Sequence, residues 1–317
     1  MEIAQKPNPL LSILVLCFNH EAYIDEALES IQQIKHQPIE VLICDDFSLD
    51  KSVEILKKWQ NKRPDWNFQF NLENLGNCKT FNSLLAVANG KYVIDFAADD
   101  VFVPHNIQTW IRRFETNPNA GFCYADASVF DNENGKEYLF SQKVKREKMP
   151  EGWILNELLG IPFICPPAVM FKRSALEKVG GYNENLAYED LDIWLRMARS
   201  FEVIYYDAAV VRYRKHRNSL SASLFLKRNK NLLQSTLAIL NQILAWKEFE
   251  NGSPELVVFI KYHLKISSAM QLREEAKAFY NLLSGLKKIG FQDKFWMVVA
   301  ESKMPFWRIF AWLKSGN

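Results

Sequence analysis

The sequence holds few cysteines and no two of them two residues apart: Cys17, Cys44, Cys78, Cys123 and Cys165 are odd in number and widely spaced. That pattern excludes a zinc ribbon and a disulfide framework, and fits buried thiols in a reducing compartment. Residues 1–9 contain no basic cluster leading into a signal-type apolar core. The longest early apolar run, Leu10 to Phe18, is interrupted by Ser12 and is only a strand long, far short of the ~20 residues that span a bilayer. A cytoplasmic location is therefore expected, with the inner face of a membrane as the alternative. Also missing are the Gly-x-Gly-x-x-Gly of dinucleotide folds and the glycine-rich Lys-Ser/Thr loop of nucleotide triphosphatases. There is no 20–50-residue repeat and no low-complexity tract. A large net charge is absent too, since 39 basic and 37 acidic residues leave +2, which argues against a dedicated nucleic-acid binder.

What is present is ordinary globular material: 317 residues, 48% apolar and 24% charged, enough for one large domain or a domain with an extension. The charge is unevenly placed. Residues 222–317 carry 14 basic and 7 acidic side chains, whereas residues 1–221 carry 25 and 30. Leu10–Cys17 reads as a buried strand, and Ile24, Ala27, Leu28 and Ile31 give Glu21–Ile34 a helical stripe. Ile39–Cys44 and Ser52–Trp59 repeat the pair, with Asp50 as a candidate N-cap. Trp66–Phe70 and Thr80–Ala88 form the third unit, and Tyr92–Phe96 with a helix from Pro104 to Phe114 the fourth. Four strand–helix units predict an α/β fold whose central sheet is mainly parallel and flanked by helices. Beyond Phe122 short strands (Phe122–Phe130, Val169–Phe171, Val203–Tyr206) alternate with helices near Trp153–Leu159 and Asp190–Arg199. After Ser223 only helices are expected, separated near Gly252-Ser253-Pro254, Gly285 and Gly290.

Polar residues gather where the strands end. Asp45-Asp46 follow the second strand and Asp99-Asp100 the fourth, so in a parallel sheet the two pairs border one crevice. Crowded carboxylates are unfavourable unless a cation or hydrogen-bond donors offset them, and a divalent ion with sugar or ribose hydroxyls would do so. Acidic pairs after strands also occur in phosphorylation domains and phosphatases.

The residues resemble family 2 glycosyltransferases. The resemblance is carried by Leu11-Ser-Ile-Leu-Val-Leu-Cys-Phe-Asn19, by Ile39 through Ser52, and by Asn74-Leu-Gly76 with Asn82 and Gly90 through Asp100. It continues through Pro166–Ser174, Gly180-Gly-Tyr182, Tyr188–Arg196 and Tyr213-Arg-Lys-His216 with Ser219 and Ser221. It implies a GT-A fold over residues 1–221, with a nucleotide-sugar half near 1–103 and an acceptor half near 104–221, followed by a helical extension over 222–317. It further implies an inverting enzyme that uses a nucleotide-diphosphate sugar, UDP being the expected carrier, and Mn2+ or Mg2+. The acceptor would be a hydroxyl of a glycan or lipid-linked glycan, in bacterial surface-polysaccharide synthesis. By the same resemblance Phe18 faces the base, Asp46 accepts from it, and Asp99 lies near the ribose. Asp100 is on the metal, His216 is the later metal or diphosphate contact, Arg214 reaches a phosphate oxygen, Asp190 is the general base, and Glu189 orients the acceptor or is structural.

The chemistry is coherent. A leaving diphosphate gathers negative charge that a metal and basic side chains offset, and an acceptor hydroxyl needs a carboxylate to take its proton. Two departures stand out: Ala97-Ala98 precede Asp99-Asp100 where many members carry an earlier aspartate, and Leu16-Cys17 replaces the commoner Pro-Thr. The first leaves fewer protein ligands, so a metal would be held mainly through the donor diphosphate. The alternatives are a non-catalytic sugar-nucleotide or glycan-binding relative and a nucleotidyltransferase, the latter lacking the basic triphosphate loop it would need. At the far end, Phe306, Ile309, Phe310 and Leu313 share one helical face flanked by Lys303, Arg308 and Lys314. That face would pack within the protein, join a second copy, or lie on an anionic membrane.

Overall fold

The computed structural model describes residues 9–35, 38–132, 135–144, 146–160, 162–216 and 230–302. The chain divides into two compact units. The first comprises Met1–Leu155, Pro162–Glu184 and Glu189–His216; the second comprises Asn156–Ile161, Asn185–Tyr188 and Arg217–Asn317.

The first unit is built on β1 (Leu11–Cys17), β2 (Ile39–Asp45), β3 (Asn67–Phe70), β4 (Tyr92–Ala97), β5 (Val101–Phe102), β6 (Ala120–Asp131), β7 (Glu137–Leu139), β8 (Val169–Lys172) and β9 (Glu202–Lys215). They form one sheet in the order β3-β2-β1-β4-β8-β6-β9-β5, with β7 paired to β6. β3, β2, β1 and β4 are parallel, and β8 runs antiparallel between β4 and β6. β6 and β9 are again parallel to each other. Helices α1 (Ile24–Gln32), α2 (Ser52–Lys62), α3 (Asn77–Leu85), α4 (Pro104–Glu115), α5 (Phe140–Val144), α6 (Arg173–Val179) and α7 (Asp190–Ala198) complete the unit.

Every residue of β1 is buried, which is why its sequence is apolar at all positions but Ser12 rather than an alternation. Leu11, Ile13 and Val15 meet Val41 and Ile43 of β2, Ile94 and Phe96 of β4, and the buried stripes of α1, α2 and α4, including Leu28, Trp59 and Trp110. On the other face α3 packs across β1 and β2. Each crossover helix brings the chain back to start a parallel strand, so the loops after β1, β2 and β4 open at one edge of the sheet.

One close approach fixes a glycine. A Cβ at Gly90, just before β4, would lie 2.5 Å from both the backbone nitrogen and the Oγ of Ser12, and 2.8 Å from the Leu11 carbonyl carbon. Gly90→Ala must therefore push β4 off β1, at a cost of about 1–3 kcal/mol. A urea titration should show the lowered midpoint; an unchanged midpoint would contradict this packing.

The predicted helix near Trp153–Leu159 is not formed. Gly152 is drawn into an extended pairing with Val203, and only a 3-10 turn, Glu157–Leu159, follows. β9 is much longer than the apolar run Val203–Tyr206, because β6 supplies backbone partners along almost all of it.

The second unit contains α8 (Lys230–Leu244), α9 (Pro254–Ala269), α10 (Arg273–Gly285) and α11 (Phe291–Glu301). Its interior includes Leu240, Phe249, Ile260, Leu264, Phe279 and Leu283. Ser253 Oγ accepts the Leu256 N–H at the start of α9, and Asp293 closes the start of α11 on the Gly290 N–H. Burial pushes the His263 imidazole down to about 4, so it sits neutral between Phe259 and Phe279. No helix among the described residues is long and apolar enough to cross a membrane. The apolar face expected over Phe306–Leu313 lies outside the described residues.

Candidate active site

The loops after β1 and β2 are stitched together by side chains acting on backbone. Ser48 Oγ accepts the Asn19 N–H, Asn19 Oδ1 accepts the Leu49 N–H, and Ser52 Oγ accepts the His20 N–H. Asp50 accepts the Glu21 and Ser52 N–H groups, and Glu21 returns the favour to the Lys51 N–H. Lys51, not Asp50, holds the N-cap position of α2, but Asp50 still accepts the N–H of Ser52, the first residue of that helix, and also ties the two loops. Asn19 and Phe47 adopt positive φ angles of 58° and 66°, a left-handed turn that is unusual for a phenylalanine. The result presents two aromatic side chains, Phe18 and Phe47, to solvent at 42% and 46% exposure, on a frame with little freedom.

Asp46 lies beneath this rim, nearly buried. Its Oδ1 accepts from Asn71 Nδ2 and the Leu75 N–H, and its Oδ2 accepts from the Gly76 N–H, each at 2.8 Å. Three N–H donors make this carboxylate the anchor of the loop entering α3, and four acceptor positions minus three leave room for one further donor.

Asp99 and Asp100 follow β4 and are buried. Asp99 Oδ2 accepts from His216 Nε2 at 2.9 Å, while His20 Nε2 stands 3.8 Å from the same oxygen. Burial works against an Asp99 anion, but the His216 hydrogen bond and both imidazoles outweigh it and hold this carboxyl below its ordinary range. Asp100 moves the other way. Burial, and then the charge on Asp99, push it well above the usual carboxylate range, even though the Arg214 N–H bonds its Oδ1 at 2.8 Å.

Arg214 sits differently from what the resemblance implies. It is 5% exposed, with its guanidinium between Tyr23 and Phe130 at 4.7 and 4.5 Å from their ring centres. Its Nε donates to the Asp99 carbonyl at 2.7 Å, and its two terminal nitrogens donate to Asn132 and Glu26. The side chain is committed to holding the Asp99-Asp100 turn against β9 and α1. It does not stand free at the crevice, because an unpaired buried guanidinium would be costly.

Asp99, Asp100, Arg214 and His216 are therefore joined by direct contacts, and Asp46 and Phe18 occupy neighbouring strand ends. Glu189 and Asp190 form a second group at the start of α7, where exposed N–H groups favour anions; Asp190 Oδ1 accepts the Leu191 N–H at 2.7 Å. Burial raises both carboxyls, and Glu189 is raised further by Asp190 and Asp95. Among the described residues no hydrogen bond or ion pair links this pair to Asp99 or Asp100.

Two further residues belong here without having been singled out in the sequence. His20 is the second imidazole on Asp99, and its Nδ1 is buried with no hydrogen-bond partner. Asp95 is a carboxylate inside β4, and its position in an otherwise apolar strand is the signal that could have found it. Tyr182 donates to Asp95 Oδ2 at 2.9 Å while stacking on Phe81 at 4.0 Å. The Gly180-Gly181-Tyr182 turn is itself clamped by Asn82, and by Arg196 through the Val179 and Gly181 carbonyls.

Burial pushes the Asp95 carboxyl up to about 7, against the opposing Tyr182 hydrogen bond. Unfolded, it would titrate near about 4. The native state therefore binds more protons between those values, and stability falls as pH rises through that window. Asp95→Asn should raise the urea midpoint at pH 8 and lose that advantage by pH 4; a gap that did not close on acidification would contradict the assignment.

Two carboxylates and two imidazoles are donor types that can hold a divalent ion, and the orphaned His20 nitrogen shows unspent capacity. Among the described residues, however, no three His, Cys, Asp or Glu side chains are already gathered around one point. This donor set fits an ion shared with a bound diphosphate rather than one caged by protein.

Comparison with known proteins agrees with the architecture. An uncharacterized glycosyltransferase of Methanocaldococcus jannaschii is 25% identical over 219 residues, covering 67% of this chain and 73% of that protein. The fold is shared with Staphylococcus aureus TarS 1–349 in complex with UDP-GlcNAc, at 17% identity and TM-score 0.62, over 92% of this chain and 90% of that one. It is shared also with a Pyrobaculum calidifontis mannosyltransferase in complex with GDP-Man and Mn2+, at 17% identity and TM-score 0.58, over 93% and 85%. The sheet with its β3-β2-β1-β4 parallel half is thus that of GT-A enzymes. Residues 12–180, more than half of the sequence, match the family model described as glycosyl transferase family 2. This chain belongs to that family and is a glycosyltransferase.

Proposed function

We propose that the enzyme is inverting and metal-assisted, and that it moves a sugar from a nucleotide diphosphate, UDP being the expected one, to a hydroxyl of a glycan or lipid-linked glycan. The observation that carries this reading is the lock on Asp99-Asp100: two imidazoles on one carboxylate, and an arginine backbone N–H on the other, at the ends of β4 and β9. The nucleotide sugars held by TarS and by the mannosyltransferase support a donor of this class.

In this reading Phe18 covers the base and Asp46 offers it the remaining acceptor position. Asp99 meets the ribose, and Asp100 and His216 would hold the metal. Mn2+ or Mg2+ bound there would offset the charge that develops on the leaving diphosphate. Arg214 acts by fixing the Asp99-Asp100 turn rather than by touching phosphate. Asp190 removes the acceptor proton as the acceptor oxygen bonds to the anomeric carbon, and the sugar–phosphate bonding pair leaves with the diphosphate. Glu189 orients the acceptor. A raised Asp190 pKa makes it a stronger base than a solvated aspartate, which suits proton removal from an alcohol. A cytoplasmic enzyme of surface-polysaccharide synthesis is the setting we infer.

Inversion is open to a test without acceptor. Water attacking an α-linked donor should release the β-hexose first, visible by proton NMR before mutarotation. First release of the α anomer would overturn the inverting mechanism.

A further inference from the structure

We propose that Lys143 and Lys215, both held on Tyr138, bind a phosphate group beside the reaction centre; the proposal rests on the transferase reading above. Lys215 is the last residue of β9, and its Nζ donates to Tyr138 Oη at 3.1 Å. Lys143, from α5, places its Nζ 4.0 Å from the centre of the same ring. Both lysines are exposed, and among the described residues neither has a carboxylate within ion-pair distance. Arg212 and Arg214 on the same strand are paired with Glu137 and Glu26.

Two ammonium groups on one phenol, with no carboxylate partner among the described residues, repel each other, and an anion between them would relieve that repulsion. The phenol already responds: burial opposes its ionisation, yet the two lysines draw it below the ordinary tyrosine range. The bracket is also supported from below. Asp126, buried at an irregularity in the β6–β9 pairing, accepts from the Ser141 N–H at 3.0 Å and Ser141 Oγ at 2.6 Å, which fixes α5 and so Lys143. Lys215 also directly precedes His216.

The ligand chemistry is a phosphate oxygen, supplied either by the donor diphosphate or by a phosphate on the acceptor. Calorimetry on the full chain separates them, with UDP in Mg2+ as one titrant and inorganic phosphate added to UDP-saturated protein as the other. The Lys143→Gln/Lys215→Gln pair should weaken one titrant by about tenfold or more, and the Lys143→Arg/Lys215→Arg pair should restore it to within about threefold. Loss in the phosphate arm assigns an acceptor phosphate; loss in the UDP arm assigns the donor. Unchanged binding of both titrants by a Gln variant with native circular dichroism would overturn the proposal. Failure of the wild type to bind UDP would count against the transferase reading instead, and phosphate titrated without nucleotide would still decide the bracket.

Discussion

Asp190→Asn should lower turnover by about 10²–10⁴-fold, the usual worth of a positioned general base, while donor affinity stays within about twofold. Asparagine preserves the shape and still accepts the Leu191 N–H at the start of α7. It cannot take a proton. The effect therefore belongs to the chemical step, and it separates this enzyme from a glycan-binding relative, in which the same change would alter little. Single-turnover rates together with calorimetric donor affinity make the measurement. Equal losses in both would mean that Asp190 is a structural part of the donor site.

Asp100→Ala should cost about 10²–10³-fold in turnover and abolish any strengthening of nucleotide binding by Mn2+. Its carboxylate lies buried next to Asp99 and accepts the Arg214 N–H. Alanine also strands that N–H, at about 1–3 kcal/mol of stability. Asp100→Asn keeps an acceptor for it, and so distinguishes a lost metal contact from a loosened turn: it should fold with wild-type stability yet remain insensitive to Mn2+. An Asn variant that keeps its metal response would remove Asp100 from the metal end.

The parallel half of the sheet is legible because β1, β2 and β4 are largely buried and read as short, mostly apolar runs, interrupted by Ser12, Glu40 and Asp95, with acidic pairs closing β2 and β4. β9 is harder to read. Its second half alternates Arg212 and Arg214 with apolar residues, and those arginines are buried or half-buried by Glu26, Phe130 and Tyr23, contributed from distant segments. His20 escapes notice for a similar reason. It reaches Asp99 only because Asn19 turns through a left-handed conformation, a position that asparagine tolerates and that spacing does not reveal. Asp46 shows the limit from the other side. Its place after β2 is plain in the sequence, whereas its three N–H donors come from residues 71–76 and emerge only from the folded loop.

The central claim is that the crevice at the ends of β1, β2 and β4 binds a nucleotide-diphosphate sugar with a divalent ion. A thermal-shift panel of UDP-, GDP-, dTDP- and CMP-sugars, each with and without Mn2+, tests it most directly. At about 100 times its dissociation constant a ligand adds about 2.7 kcal/mol, a shift easily read. UDP-sugars should stabilise the protein above the other classes, the effect increased by Mn2+ and lost in Asp100→Ala. No stabilisation by any nucleotide sugar, or one indifferent to both Mn2+ and Asp100, would contradict the claim.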